Sequence, residues 1–393
     1  MLHNYLPIGR KFKTTTKLSV TRLILGLGLA CISTIWTLYM SSFGISDSMI
    51  GFIASGLVAV SLFVAFFATL VLEKFNVFKI LLTSLSIQIL VYLSIIYFDA
   101  FYVFMILSVI ITIAEVFRIA SFDILFRDQA RKKELNEDEG LMYSLINIGW
   151  LIGPLIAGFF LVEYGIKSVF LIAVIFMTMS LLMLAGINVK KHPIKKDIFN
   201  NNNVTKNFIK FFSNKKLRLS YLVSLGICIW LGLIFIYMPL FIVHNQIGKE
   251  YIGFFLSAFA IPLILFEYIA GKLSQKYGFK AFFVLGFLSL AIIAFLIFII
   301  NNIYATMLFL IISGFALAFL EPLQDSYFFY NVRHKKDDSK YYPIYSTSAS
   351  VGSFIGKISI ATILLFLPER YAYLITGIFM LIIGIIFLLS NEK

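Results

Sequence analysis

Residues 250–280 read EYIGFFLSAFAIPLILFEYIAGKLSQKYGFK, and this stretch decides the fold. Its apolar run has roughly 20 residues, enough to cross a bilayer as a helix. The run ends in a short basic turn between Gly271 and Lys280. Lysines directly after an apolar run are typical of a membrane helix that reaches the cytoplasm. The stretch therefore predicts a transmembrane helix followed by a cytoplasmic turn.

The same design occurs earlier in the chain. Residues 50–55 (IGFIAS) match residues 252–257 (IGFFLS), and Glu115 matches Glu321 at nearly the same displacement. Similarity of a chain to itself at a fixed displacement indicates an internal repeat. A duplicated helical half is typical of secondary transporters.

The composition extends this interpretation to the whole chain. Of the 393 residues, 60% are apolar and 13% are charged, which is more apolar surface than a soluble domain buries. Backbone polar groups are satisfied in lipid only by helices or closed barrels, and continuous apolar runs favour helices over alternating strands. We expect an all-α membrane protein with twelve transmembrane helices, near residues 19–42, 48–71, 78–98, 101–126, 141–162, 166–188, 219–243, 250–271, 279–300, 303–330, 342–367 and 371–390.

Lysine and arginine are concentrated in alternate loops, while the intervening loops carry few positive charges. The positive-inside rule then predicts a multi-pass protein of the cell membrane with both termini in the cytoplasm. We expect three regions: an N-terminal six-helix bundle (1–188), a basic cytoplasmic linker (189–218) and a C-terminal six-helix bundle (219–393). The linker is either solvated or in contact with anionic headgroups, with Phe208, Phe211 and Phe212 toward lipid.

Ionisable side chains at membrane depth are costly, so each is a functional candidate. Glu115 and Arg118 lie three residues apart in the fourth span, on one helix face, where they can neutralise each other. Glu321 and Asp325 lie in the tenth span, and Lys357 lies in the eleventh. We hypothesise that Glu321 or Asp325 pairs with Lys357 and that protonation or substrate binding breaks the pair. The alternative is a static ion pair that only fixes packing.

Aromatic residues occupy equivalent places in the first and seventh spans. They predict a cavity for an apolar or amphipathic substrate, and core packing is the alternative. The candidate cavity residues are Trp36, Tyr39, Trp230, Tyr237 and the counterpart of Arg118 in the second half, Gln324.

The fifth span carries small residues at a spacing of four, which allow helices to approach closely. Pro154 removes one helix hydrogen bond and can bend the span. The candidate packing residues are Gly149, Gly153, Pro154 and Gly158.

These motifs together resemble the major facilitator superfamily over nearly the whole chain. The turn at 271–280 is similar to the family's G-x-L-x-D-x-x-G-x-K/R turn, with Gln275 in the acidic position, and the earlier copy keeps Glu73 and Lys74 but lacks the glycines. The fifth span resembles the G-x-x-x-G-P-x-x-G-G motif of the proton-coupled antiporters, and Arg118 resembles an arginine linked to proton coupling there.

The resemblance implies two pseudo-symmetric six-helix bundles that rock about a site lined by spans 1, 4, 7 and 10. Protons would move through carboxylates such as Glu115, Glu321 or Asp325. The turns after spans 2 and 8 would close the cytoplasmic side. The candidate gate residues are Glu73, Lys74, Arg127, Glu267, Gly271, Lys272, Gln275, Gly278, Lys280 and Arg333, of which Glu267 is equally an interfacial carboxylate.

The leading prediction is a proton-driven exporter of small amphipathic compounds. The alternatives are a proton-coupled symporter that imports a metabolite and a non-transporting receptor or scaffold. The sequence has no nucleophile with a base, no metal cluster, no cofactor loop and no GxxxxGK[ST] motif, so we expect neither an enzyme nor a cofactor nor a metal. The expected partners are a small-molecule substrate, protons and lipid, with no nucleic acid, and we expect a monomer.

Overall fold

The structure, a computed structural model, describes residues 13–130, 135–189, 204–300, 302–332 and 335–390. Within these ranges it has twelve helices that are long and apolar enough to cross a membrane. We call them spans 1 to 12: Thr14–Ser41, Asp47–Lys74, Val77–Tyr97, Phe101–Gln129, Leu135–Tyr164, Ile166–Ala185, Lys215–His244, Glu250–Tyr277, Phe279–Ile300, Ile303–Asn331, Lys335–Phe366 and Arg370–Leu388.

Successive spans alternate in direction. Span 1 therefore begins, and span 12 ends, on the same side of the molecule, which we call the termini side. The turns between spans 1 and 2 and between spans 7 and 8 lie on the other side, which we call the opposite side.

Polar side chains satisfy the free backbone groups where several spans begin. Ser46 accepts a hydrogen bond from the Met49 amide at the start of span 2, and Asn302 accepts from the second and third residues of span 10. The first N–H groups of a helix have no partner inside the helix. Span 7 contains a π turn at Leu233–Tyr237, directly before Pro239, whose missing N–H interrupts the regular ladder.

The helices pack as two six-helix bundles with the same internal pattern. Span 1 packs against spans 5 and 6, span 3 against 4 and 6, and span 2 against 4. Each of these pairs recurs six spans later: 7 with 11 and 12, 9 with 10 and 12, and 8 with 10. The predicted all-α fold of twelve helices in two pseudo-symmetric bundles is confirmed.

Small residues make the closest contacts inside each bundle. Gly149 and Gly153 of span 5 lie against the backbone of span 1, and Gly352 and Gly356 of span 11 lie against the backbone of span 7. A side chain at these positions would push the helices apart. The two halves therefore use equivalent glycines for equivalent contacts.

The bundles meet mainly at two crossings, span 2 with span 11 and span 5 with span 8, and span 1 also contacts span 7. Gly51 lies against Ala361 and Tyr237, and Gly253 lies against the Pro154 carbonyl and Gly158. Gly51 and Gly253 are the glycines of the repeated IGF motif. The repeat in the sequence thus marks two equivalent crossings between the bundles.

Between the bundles, residues Val204–Ser213 form a short helix, and residues 190–203 lie outside the described ranges. Phe211 is fully buried against Phe328 and Tyr345 of the second bundle, whereas Phe208 and Ile209 are exposed. The expectation that Phe211 faces lipid is therefore wrong, because the ring fills a gap between spans 10 and 11.

On the opposite side, direct bonds join the two bundles. The Ser48 hydroxyl donates to the Ala361 carbonyl at 2.6 Å. His244 Nδ1 lies 3.1 Å from Asp47 Oδ2, an ion pair that exists only when the imidazole is protonated. Burial raises the pKa of the neighbouring Glu369 carboxyl, on which His244 and Asp47 also act. These contacts join the two bundles on the opposite side of the molecule.

The crossing of spans 5 and 8 gives a first prediction. In Gly253→Val the new side chain would collide with the Pro154 carbonyl, an overpacking that typically costs about 1–3 kcal/mol. We expect a lower thermal unfolding temperature for the purified protein in detergent. Gly56→Val is the matched control, because a side chain at Gly56 meets nothing within 4 Å. Equal losses in the two variants would contradict the crossing.

The ion pair on the opposite side gives a second prediction. Cys228 of span 7 is half-buried, deeper in the protein, and it reports on access. An exposed ion pair contributes about 0.2–1 kcal/mol of stabilisation. Its loss therefore changes the ratio of two conformations by up to about fivefold. In a Cys31→Ser background, we expect His244→Ala to speed the labelling of Cys228 by an impermeant maleimide added on the opposite side, up to that factor.

The control for this labelling is Lys249→Ala, which removes an exposed cation from the same turn without touching Asp47. The contact would not close the opposite side if the His244 and Lys249 variants were labelled at the rate of the parent.

Candidate functional site

The ion pair of span 4 lies near the middle of the membrane. Arg118 Nη2 is 3.0 Å from Glu115 Oε1; the Arg118 side chain is 1% exposed and that of Glu115 is 44% exposed. The Nε and Nη1 groups of Arg118 are buried with no acceptor among the described residues. A buried guanidinium without a counter-charge is strongly destabilising, so Glu115 is needed to keep Arg118 in place.

Arg22 of span 1 joins this group, which the sequence did not lead us to expect. Its guanidinium carbon lies 4.9 Å from the centre of the Phe122 ring, and it interacts electrostatically with Arg118 and Asp123. Arg22 was not singled out as a candidate residue in the sequence analysis. Its place inside a predicted span was the signal that should have marked it.

The predicted pair between Glu321 or Asp325 and Lys357 is wrong. Neither carboxylate is within ion-pair distance of Lys357 in the described part of the chain, where the ammonium interacts electrostatically with Glu115 and Cys228. Glu321 lies ten residues before the end of span 10, and Lys357 lies nine before the end of span 11. These spans run antiparallel, so similar counts place Glu321 toward the termini side and Lys357 toward the opposite side.

Glu321 is instead beside Glu267 of span 8. The two carboxyl groups are within reach of a mutual hydrogen bond. Asn147 Nδ2 of span 5 donates to Glu267 Oε2 at 3.3 Å. The Glu267 side chain thus lies between spans 5, 8 and 10, so the alternative of an interfacial carboxylate is wrong, and the role at the gate stays a prediction.

Asp325 lies nearer the termini side. Its Oδ1 accepts a hydrogen bond from Tyr345 at 2.9 Å. The Arg127 guanidinium carbon lies 5.7 Å from the centre of the Tyr342 ring of span 11, so Arg127 contacts the other bundle. Asp325 and Arg127 are both exposed. Since charges are costly against lipid, their exposure indicates water between the bundles on this side.

The remaining gate candidates do not form one cluster. Lys280 donates to the Ser390 carbonyl at 2.6 Å inside its own bundle, so its predicted role at the gate is not seen here. Gly278 has a φ of +80° and ends span 8. Lys74 and Lys272 are exposed, and a side chain at Gly271 would meet nothing within 4 Å. The side chains of Glu73 and Gln275, and all of Arg333, lie outside the described part of the chain.

Of the two aromatic candidates of span 1, Tyr39 does not line an open cavity. Tyr39 is 2% exposed and donates to Asp99 Oδ1 at 3.2 Å, near the opposite side. Lys167, 2.8 Å from Asp99, donates a hydrogen bond that holds the pKa of that carboxyl below its usual range. Trp36 is half-buried against the core of the protein. The prediction for Tyr39 is wrong, because its ring fills the core of the first bundle.

Trp230 and Tyr237 of span 7 are also fully buried. Trp230 Nε1 donates to Ser313 Oγ at 3.0 Å, and the Tyr237 hydroxyl donates to the Lys357 carbonyl at 2.7 Å. Their predicted place in a cavity is wrong for this conformation, because both rings are needed to pack and bond the second bundle. Gln324 is half-buried.

Polar side chains from both bundles thus gather between them. We call this group the polar centre, and it consists of Glu115, Arg118, Asn147, Glu267, Glu321 and Lys357. It offers carboxyl groups that exchange protons and cations that bind anionic groups. Within the described ranges, no three His, Cys, Asp or Glu residues are placed to hold a metal ion.

Known proteins with a similar sequence or structure are membrane transporters. An uncharacterized MFS-type transporter of Methanocaldococcus jannaschii is 23% identical over 269 residues, which cover 67% of this chain and 68% of that protein. The fold is similar to a mutant form of the nucleoside transporter NupG (TM-score 0.78, 14% identity, 96% and 99% coverage). It is also similar to a POT family transporter in complex with 5-aminolevulinic acid (TM-score 0.77, 13% identity, 95% of each chain). The profile of the Major Facilitator Superfamily matches residues 18–250 and 242–393, and the chain therefore belongs to this family of transporters.

Proposed function

We propose that the protein is a proton-coupled secondary transporter that carries a small polar solute together with protons, by alternating access. The observation that carries the proposal is the polar centre, which both bundles build at membrane depth. Transporters built from two repeats expose such a site to one side of the membrane at a time.

A purely structural role is a poor explanation of these charges. Replacing buried ion pairs by apolar residues of similar volume is often neutral or stabilising, and intramembrane charges typically mark solute and proton pathways. Arg118 and Lys357 supply cations for an anionic group of the solute. Glu267 and Glu321 supply carboxyl groups for protons.

The burial of the aromatic rings changes the expected solute. Tyr39, Trp230 and Tyr237 pack inside the bundles, so they give no support to a cavity for amphipathic compounds. The charges that remain between the bundles suit a polar or charged solute. The similar folds that carry nucleosides or bind 5-aminolevulinic acid support this class only by analogy.

The exposed lysines at the termini side support its assignment to the cytoplasm. Lys74 ends span 2 there, Lys272 lies in the last two turns of span 8, and positive segments remain in the cytoplasm. In this orientation, the contacts at Ser48 and His244 close the extracellular side. The region between the bundles that contains the exposed Asp325 and Arg127 then faces the cytoplasm.

Export of amphipathic compounds by proton antiport is the second candidate. The glycines and proline of span 5, which resemble the antiporter motif, favour it. The two candidates differ in the direction of the proton gradient that drives the solute, and one measurement separates them.

The test is a solute panel in proteoliposomes with an imposed pH gradient. For symport, we expect a polar solute to accumulate when the outside is acidic, and a protonophore should abolish the accumulation. We expect Arg118→Met to lose transport by about tenfold or more, as a loss of about 1.4 kcal/mol in binding would cause. Glu163→Gln, which changes an exposed charge in the last turn of span 5, should match the wild type.

Accumulation driven by an acidic interior would instead favour antiport. A panel that includes polar and amphipathic solutes and shows no pH-driven flux in either direction would overturn the proposal in favour of a receptor or scaffold.

A further inference from the structure

We propose that Glu267 and Glu321 share one proton and that this shared proton, through Asn147, fastens span 5 of one bundle to span 8 of the other. The assignment of this proton as the one coupled to solute movement rests on the proposed function. The carboxyl pair itself rests on the contact between the two side chains, on the bond from Asn147 and on the equal depth of the two residues.

The two carboxyl groups lie at the same depth. Glu267 is 17 residues from the start of span 8, and Glu321 is 18 residues from the start of span 10. Both spans start on the opposite side, and at a rise of about 1.5 Å per residue these counts agree within one residue. Gly314 lets the spans approach, because a side chain there would come within 2.8 Å of the Phe259 carbonyl.

Two carboxylates at hydrogen-bonding distance cannot both be ionised without strong repulsion. One proton between them makes one group a donor and the other an acceptor, as in other carboxyl pairs. The Asn147 amide donates to Glu267 Oε2, and an amide N–H binds an ionised carboxylate better than a neutral one. The proton therefore resides on Glu321, and Glu267 accepts from both neighbours.

The surroundings supply no cation in place of the proton. From span 7, Cys228 interacts electrostatically with Glu321. Lys357 of span 11, which interacts with Glu115 and Cys228, is not within ion-pair distance of either carboxyl group. Lys280, the only charged residue of span 9, is bonded to the Ser390 carbonyl. Among the described neighbours, the proton is the only positive charge available to the two acids.

Loss of the proton would change the crossing of the bundles. Two carboxylates would then repel each other, and Glu267 would move from the position in which Asn147 reaches it. The contact of spans 5 and 8 at this depth depends on that bond, so proton release loosens one bundle from the other. This is a physical link between protonation and the relative position of the bundles.

The test is infrared difference spectroscopy of the purified protein without solute, titrated from acidic to alkaline pH. We expect the carbonyl band of a protonated carboxyl group near neutral pH, where an exposed glutamate, with an ordinary pKa of about 4.3, is ionised. Glu321→Gln should remove the band. Asp325→Asn is the matched control, because it removes the neighbouring acid of span 10, which has Tyr345 as its partner, and should retain the band.

Asn147→Ala is a second, milder variant. It removes a donor to the ionised partner, so the protonated band should persist to more alkaline pH than in the wild type. A wild type without the band near neutral pH, or a band that survives Glu321→Gln or does not move in Asn147→Ala, would overturn the pair. Because no solute is present, these outcomes are independent of the flux assay: a protein that shows the band but no pH-driven flux would refute the proposed function and leave the pair intact.

Discussion

The close approach of helices at Gly51 and Gly253 is the constraint on which the arrangement of the molecule depends. At each position a helix of one bundle lies against the other bundle, at Ala361 in one crossing and at Pro154 in the other. In lipid there is little hydrophobic force between helices, so their association depends on close packing and polar bonds. The crossings therefore fix how the bundles meet and which polar groups come together between them.

The absence of water at membrane depth determines which partners the polar side chains need. Arg118 is buried and needs Glu115, which lies 3.0 Å away on the same helix face. Other polar side chains form hydrogen bonds between helices: Trp230 donates to Ser313, and Asp325 accepts from Tyr345.

The helices and the two halves could be predicted because their signals are local: apolar runs, basic turns and a repeated motif. The Glu115–Arg118 pair was predictable for the same reason, since both residues lie on one helix. Pairs between helices were not. Glu321 and Lys357 lie at a similar number of residues from the ends of their helices. Because spans 10 and 11 run antiparallel, the two residues nevertheless differ in depth. Asn147 carries no charge, so nothing in the sequence distinguished it from a packing residue.

The difference between the two halves explains why their acids behave differently. Glu115 and Glu321 are equivalent by the repeat, but Arg118 of the first half corresponds to Gln324 of the second. The first acid therefore has a permanent counter-charge from its own helix. The second has none, and it lies beside Glu267, an acid from a neighbouring span. A proton can dissociate from a carboxyl group, whereas the positive charge of an arginine is permanent. The acid of the first half thus has an arginine beside it on its own helix, whereas the acid of the second half is the one for which we propose a shared proton.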